Sequence, residues 1–158
     1  MSKSGLYAHF RSKEELQLAT VETASRILAE EVVLPGLEAP EGVRRLTALC
    51  DAFLSHVERR VFPGGCFFVS SSAELSTRPG RVREQIVAAY RGWIDLLEQQ
   101  AHRAQELGEI GADEDVEQLV FELNGLLVAG DAFYLLFEDP GELERARRGV
   151  RARLGDSG

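Results

Sequence analysis

The apolar residues of this chain recur mostly at steps of three and four, the spacing that places side chains on one face of an α-helix. The first long helix is expected to begin after Ser12, because a serine followed three residues later by Glu15 forms a capping box. Its narrow apolar face consists of Leu16, Ala19, Thr23 and Ile27. Pro35-Gly36 is expected to end this helix after roughly 22 residues, or about 33 Å. This length is typical of a connector between two parts of a protein.

The same spacing predicts five further helices, with proline, glycine or aspartate at their boundaries. Their approximate bounds are 41–61, 66–76, 78–107, 113–138 and 140–154. Asp113 is expected to cap the fourth of these, which carries two acidic residues in its first turn. Residues 66–69 are also compatible with a buried strand, but no other segment offers a strand partner. The fold class predicted is therefore all-α, with six helices from Ser12 onward and a short one before it.

The helix predicted over residues 113–138 is apolar on two faces. One face carries Leu119, Leu123, Leu126, Leu127, Phe133, Tyr134 and Phe137, and the other carries Phe121, Gly125, Val128, Ala132 and Leu135. In a protein of this size we expect one face to pack on the core and the other to contact a second subunit. The residues assigned to this interface are Leu123, Leu127, Phe133, Tyr134, Phe137 and, from the last helix, Val150.

Polar residues interrupt this apolar helix. Glu117, Glu122, Asn124 and Asp131 argue against a membrane span. Burying Asn124 or Asp131 without a partner is unfavourable. Three explanations for these two residues stay open: they fix the register of a subunit interface, they hold a ligand, or they lie at a partly exposed edge.

The charge of the chain is distributed unevenly. Its composition, with 44% apolar and 28% charged residues, is that of one globular domain. The first thirteen residues contain Lys3, Arg11 and Lys13 and no acid, so a net charge of −8 overall leaves −11 for the remainder. A basic head on an acidic body directs that head toward a polyanion. The five arginines between Arg145 and Arg153 are instead expected to complement the dipole of the last helix and to pair with its own glutamates.

The basic head also carries a recognisable sequence. Residues 4–10, Ser-Gly-Leu-Tyr-Ala-His-Phe, and residues 12–16, Ser-Lys-Glu-Glu-Leu, resemble the TetR family of transcriptional regulators. They resemble the recognition helix, the turn and the start of the connector helix of that family, which has two more helices before this point. The resemblance implies a DNA-binding head, of which residues 1–34 form the C-terminal part, and a ligand-binding and dimerisation domain in residues 35–158. The DNA contacts it implies are Ser2, Lys3, Ser4, Tyr7, His9 and Lys13.

The resemblance implies a function as well. A protein of this kind acts as a homodimer on a palindromic DNA operator, is usually a repressor, and responds to a small-molecule effector in the cytoplasm. The alternative is a small all-helical ligand-binding or sensor domain without DNA binding. The effector is expected in a cavity between helices lined by Phe53, Val57, Phe68, Tyr90, Trp93, Ile94, Asn124 and Val128. Aromatic residues at helical spacing are equally compatible with a plain core.

Catalytic chemistry is not indicated. Cys66 follows two glycines at a predicted helix start, where the helix dipole can lower the pKa of a thiol. Catalysis would also require a base and an oxyanion site, and neither His56 nor His102 has a spacing that supplies the base. Cys50 and Cys66 are therefore expected to be reduced, structural thiols. The histidines match no metal pattern, so we expect no enzyme activity, no metal and no cofactor.

Overall fold

The computed structural model of the chain describes residues 2–5, 12–75 and 79–155. Within these ranges the protein is helical and contains no strand, which confirms the all-α prediction. The helices are α1 (Lys13–Leu28, continued by a π-helical turn, Ala29–Val33, and a last turn, Leu34–Leu37), α2 (Val43–Glu58), α3 (Phe67–Leu75), α4 (Arg81–Glu106), α5 (Val116–Phe137) and α6 (Gly141–Leu154). Residues 66–69 therefore introduce a helix and not a strand.

The start of α1 is as predicted, but its end is not. The hydroxyl of Ser12 accepts a hydrogen bond from the Glu15 amide at 3.1 Å, as a capping box requires. Pro35 does not end the helix, because the turn before it widens: the Leu34 amide donates to the carbonyl of Ala29, five residues back. A π-helical turn gives room for a proline ring that would clash with the carbonyl four residues back in a regular helix. The last turn thus runs on to Leu37.

The N-cap of α5 is Asp115, so the prediction of Asp113 is wrong by two residues. The carboxylate of Asp115 accepts from the Gln118 amide at 3.0 Å. Asp113 lies inside a preceding turn, which the Glu114 amide closes onto the carbonyl of Gly111 at 3.1 Å. Asp113 and Asp115 are chemically equivalent as caps, and the turn selects between them.

The core lies where α2, α4, α5 and α6 meet, and α5 is its central element. Gly130 of α5 allows this close packing: a Cβ there would lie 2.9 Å from the Ala146 Cβ of α6 and 3.2 Å from Leu54 of α2. Any larger residue at position 130 would push these helices apart. Among the described residues, α5 is also the one helix long and apolar enough to cross a bilayer, and its inner face is buried in this core.

Four residues that were assigned to a subunit interface belong to this core. Leu123 and Leu127 are fully buried within the chain, and Tyr134 and Val150 are nearly so. A side chain without accessible surface in one chain has no contact to offer a second one, so these assignments are corrected. Phe133 remains an exposed member of the predicted set, together with Phe137.

The arginines of α6 tie the C-terminal helix to the rest of the bundle. Arg145 and Arg147 pair with Glu142 and Glu144 of the same helix, as predicted. Three of the arginines also pair outside α6. Arg147 pairs with Glu58 of α2 at 2.8 Å, and Arg151 pairs with Asp51 of α2 at 3.2 Å. Arg153 pairs with Glu114 in the turn before α5 at 2.7 Å and with Glu122 of α5. Each exposed pair contributes little alone, but together they fix the position of α6 on α2 and α5.

Candidate ligand cavity and exposed surfaces

A small cavity lies between the helices of the body, and five of the eight predicted ligand residues line it. These are Phe53, Phe68, Tyr90, Trp93 and Asn124. Leu28, Cys66, Val69 and Ala89 complete the lining. The helices α1 to α5 thus all contribute residues to one cavity. Helical periodicity alone does not show that these residues meet.

The other three predicted residues lie elsewhere. Val57 is buried in the core on α2, and Ile94 and Val128 are half-buried. None of the three is part of the lining. Helical spacing identified inward-facing positions correctly but did not separate a cavity wall from solid core.

Asn124 is the centre of the polar part of the cavity. Its amide oxygen accepts from the indole N–H of Trp93 at 3.3 Å. Its amide nitrogen donates to the hydroxyl oxygen of Tyr90 at 3.2 Å. The ring of Trp93 stacks against Phe53 with centroids 6.0 Å apart. Asn124 of α5 thus pairs with two residues of α4. Of the three explanations that the sequence left open for Asn124, a role at the ligand cavity fits these contacts best.

Asp131 of α5 binds the backbone of Cys66, the residue just before α3. Both of its carboxylate oxygens lie 3.3 Å from the Cys66 amide, which donates to them. Burial raises the pKa of Asp131 to about 6, although the hydrogen bond from the Cys66 amide lowers it in part. Gly65 fits here because a Cβ would lie 2.1 Å from the same carboxylate. Asp131 is therefore neither an interface residue nor an edge residue, but a buried tie between α5 and the turn before α3.

Cys66 is unsuited to nucleophilic chemistry. Its side chain is 2% exposed, and burial raises the pKa of its thiol to about 11. Backbone hydrogen bonds from the start of α3 lower this pKa only in part. Cys50 is also buried, and both thiols are free. A protonated, inaccessible thiol supports the structural role that the sequence suggested.

The cavity is small, and it adjoins a larger groove. Its volume is about 20 Å³, enough for about one water molecule. On the outer side of its wall lies a groove of about 260 Å³ between α1 and α4. Leu28, Phe68, Ala89 and Trp93 belong to both spaces. Movement of these side chains would join the cavity to the groove.

The head is described only in part. Residues 3–5 form a helical turn, and the hydroxyl of Ser2 accepts from the Gly5 amide at 3.1 Å. Ser2, Lys3 and Ser4 are exposed, as is Lys13 at the first position of α1. Tyr7 and His9, also predicted to contact DNA, lie outside the described residues. The positions that are described leave a basic, accessible surface at the start of the chain.

A second exposed surface is the outer face of α5, a name used here for the four residues Phe121, Phe133, Leu136 and Phe137. These large apolar side chains are between 45% and 73% exposed. Phe133 and Phe137 stack on each other with centroids 5.6 Å apart. Exposed apolar side chains that lie against each other, as Phe133 and Phe137 do, mark interaction surfaces.

The body is an all-helical bundle with a small cavity between its helices, and the long helix α1 leads into it from the basic start of the chain. Residues 42–150 match the family described as tetracyclin repressor-like, C-terminal domain. The chain therefore belongs to the TetR family. This match lies in the body, whereas the resemblance that suggested the family lies in residues 4–16, so two separate parts of the chain agree.

Known relatives agree with this assignment. The transcriptional regulator AcuR of Cereibacter sphaeroides is 26% identical over 152 residues, which are 94% of this chain and 63% of AcuR. The chain thus spans less than two thirds of that relative's length.

Solved structures show the same fold. A TetR transcriptional regulator from Chloroflexus aurantiacus superposes with a TM-score of 0.86 at 23% identity, over 94% of this chain and 75% of that one. SCO4454 from Streptomyces coelicolor gives 0.77 at 24% identity, over 99% and 78% of the two chains. AibR, solved with isovaleryl coenzyme A and operator DNA, gives 0.75 at 24% identity, over 96% and 80%.

Proposed function

We propose that this chain acts as a ligand-responsive, DNA-binding transcriptional regulator, most simply a repressor, that works as a homodimer in the cytoplasm. The observation that carries this is the joining of a TetR-family body, which contains a polar-centred cavity, to a basic head through the single helix α1. AibR was solved with both a small molecule and operator DNA, so this fold is able to hold both. The proposal includes no catalytic step.

The head would bind DNA through the residues that the resemblance indicates. Residues 1–34 would form the C-terminal part of the DNA-binding region, and residues 35–158 the ligand-binding and dimerisation domain. Lys3 and Lys13 would contact phosphates, together with Tyr7 and His9, while Ser2 and Ser4 lie at the exposed start of the recognition helix. Phosphate contacts provide much of the affinity and make it fall with salt.

The dimer would form through the outer face of α5 and the adjoining surface of α6. This replaces the buried residues of the sequence-based assignment with exposed ones on the same helix. Two copies would form a four-helix contact with two-fold symmetry, which places two heads on two halves of a palindrome. Burying four large apolar side chains from each chain provides a hydrophobic driving force for this association.

Coupling between ligand and DNA would pass through α1. Leu28 lines the cavity and is the last residue of α1 before its π-helical turn. A ligand that displaces Leu28 would bind one position of α1, and hence one spacing of the heads, better than another. Such coupling energies are typically about 1–3 kcal/mol.

Selection from a random pool of duplex DNA tests this function. It uses the protein with its complete DNA-binding head, because residues 1–34 would form only the C-terminal part of that head. We expect enrichment of a palindromic site whose affinity falls steeply between about 50 and 200 mM salt. Lys3→Ala with Lys13→Ala should make the slope of the logarithm of the affinity against the logarithm of the salt concentration less steep by about 0.9 per lost phosphate contact. Arg44→Ala with Arg91→Ala, which removes two exposed arginines of the body, is the matched control and should leave binding unchanged.

The result also separates the two candidate functions. A protein with a complete head that binds small molecules but enriches no DNA sequence would be a sensor without a DNA role, and the regulator proposal would then be wrong. Equal loss of binding in the head and body variants would indicate a general charge effect and would likewise contradict the assigned contacts.

A further inference from the structure

The directions of the hydrogen bonds around Asn124 determine what the cavity offers to a ligand. The indole N–H of Trp93 is only a donor, so the oxygen of the Asn124 amide must face it. The amide nitrogen then faces Tyr90 and donates to its hydroxyl oxygen. The Tyr90 hydroxyl is therefore an acceptor toward Asn124. Its own proton has no acceptor among the residues that the structure describes.

The cavity thus has unused donors and no compensating cation. The donors are the Tyr90 O–H and the second N–H of the Asn124 amide. No lysine, arginine or histidine is present among the described residues of the lining. The pKa values of Tyr90 and Cys66 are raised first by burial, and the charge of Asp131 raises both further. The site favours a ligand that brings an acceptor and disfavours one that brings a negative charge.

The groove outside the cavity is suited to an apolar body. Its lining is Ser25, Leu28, Ala29, Val33, Phe68, Ala89, Gly92, Trp93 and Leu96. The hydroxyl of Ser25 already donates to the Val21 carbonyl at 2.9 Å, and the indole N–H of Trp93 is used by Asn124. A molecule that passes the shared wall would therefore have a polar head in the cavity and an apolar part in the groove.

We propose that the ligand of this site is a small uncharged carbonyl compound, such as a ketone or an ester, whose carbonyl oxygen accepts hydrogen bonds from Tyr90 and Asn124. Its apolar part displaces Leu28 and Phe68 and fills the groove. The combined volume of the cavity and the groove is near the lower end of the roughly 300–1,000 Å³ that is usual for ligand pockets, so the ligand is expected to be small. Calling this ligand an effector rests on the proposed regulatory function, whereas its chemical class does not.

Trp93 provides a direct signal for the test, because it is the single tryptophan of the chain and lines the cavity. The probes are three molecules of similar shape: cyclohexyl methyl ketone, cyclohexanecarboxylate and ethylcyclohexane. They differ in having a neutral acceptor, a negative charge or no polar group. Titration of the purified chain at pH 7.5, followed by Trp93 fluorescence and calorimetry, should show the ketone binding at least about tenfold more tightly than the carboxylate.

Two variants assign the acceptor contact. Tyr90→Phe should weaken ketone binding roughly three- to tenfold, the usual effect of losing one neutral hydrogen bond, and leave ethylcyclohexane binding unchanged. Asn124→Asp keeps the side-chain shape, but its carboxylate accepts from both Trp93 and Tyr90 and turns the hydroxyl proton away from the cavity. It should weaken ketone binding as well. Tyr134→Phe removes a tyrosine hydroxyl that lies outside the cavity and is the control that should change nothing.

Each outcome decides between the possibilities. Equal affinity for the ketone and the carboxylate, or Tyr90→Phe and Tyr134→Phe variants with the same affinity as the wild type, would overturn the assignment of the ligand class. Circular dichroism of the variants shows that they are folded. Ketone binding that depends on Tyr90 but does not change the binding of selected DNA would keep the ligand class and contradict the regulatory function.

Discussion

His56 is a buried residue through which acid lowers the stability of this protein. It lies on α2 with 1% of its surface exposed, and neither ring nitrogen has a hydrogen-bond partner in the described ranges. Its ring packs edge-on against Phe62, with centroids 5.5 Å apart. Burial lowers the pKa of His56, and Arg59 lowers it further while Glu31 opposes this. The folded protein therefore favours the neutral ring.

Replacing this residue should make the protein more stable. His56→Leu is expected to raise the free energy of unfolding by about 1 kcal/mol at pH 8, because it removes two unpaired buried nitrogens and keeps an apolar contact. A folded-state pKa below the unfolded value of 6.5 means that the stability linked to the neutral His56 ring is fully present above that pH and is lost as the pH falls. The advantage of the variant should therefore be larger at pH 5.

Urea unfolding at pH 8 and pH 5 measures both effects. His102→Leu replaces an exposed histidine on α4 and serves as the control. The difference in the free energy of unfolding between this variant and the wild type should be the same at pH 5 as at pH 8. A His56→Leu variant that is less stable than the wild type at both pH values would show that the ring has a stabilising partner, which would contradict this interpretation.

At the scale of helices, the sequence predicted positions better than boundaries. The spacing of apolar residues is local information, so all six helices were found and the cap at Ser12 was correct. The end of α1 was wrong because Pro35 follows a π-helical turn that no composition signal announces. The cap of α5 was wrong because Asp113 and Asp115 are both good caps, and the choice depends on the preceding turn.

Which face of α5 is buried depends on contacts between helices. Both faces are apolar, so the sequence predicted two surfaces but did not determine which one meets the core. The close approach at Gly130 decides this and turns Leu123 and Leu127 inward. The pairing of Asn124 with Trp93 and Tyr90 likewise could not be predicted from the sequence, because it depends on how α4 crosses α5. The signal available was a polar residue in an apolar helix.

The groove between α1 and α4 gives a prediction at this same scale. Gly92 of α4 lines the groove, and a Cβ at this position meets no atom within 4 Å. Gly92→Leu should therefore be tolerated and should stabilise α4 by up to about 1 kcal/mol, because glycine is a poor helix former. The new side chain would occupy the groove, so binding of cyclohexyl methyl ketone should weaken severalfold or more.

Thermal unfolding and the Trp93 titration measure these opposite changes together. Ala88→Leu adds a leucine at an exposed position of the same helix, outside the groove, and should leave ketone affinity unchanged. A Gly92→Leu variant that binds the ketone as well as the wild type would exclude the groove as part of the ligand site, while leaving the contacts at Tyr90 untouched.

For the whole molecule, the main feature left without a partner is the outer face of α5. Its four residues are between 45% and 73% exposed, and two of them, Phe133 and Phe137, stack on each other at the surface. The acidic body, which carries most of the negative charge, does not favour association by charge, so apolar burial has to supply the driving force. The outer face of α5 should therefore determine the oligomeric state.

If the proposed dimer forms, Phe133→Ser combined with Phe137→Ser should convert it to a monomer. Burying a phenylalanine contributes about 1.5–3 kcal/mol, so losing two from each copy should raise the dissociation constant by at least about a hundredfold. Because both side chains are exposed in the single chain, the fold and ketone binding should be unaffected. Light scattering coupled to size-exclusion chromatography measures the mass. Leu107→Ser, which removes an exposed leucine at the end of α4, should remain dimeric; a wild type that is monomeric at micromolar concentration would refute the proposed interface.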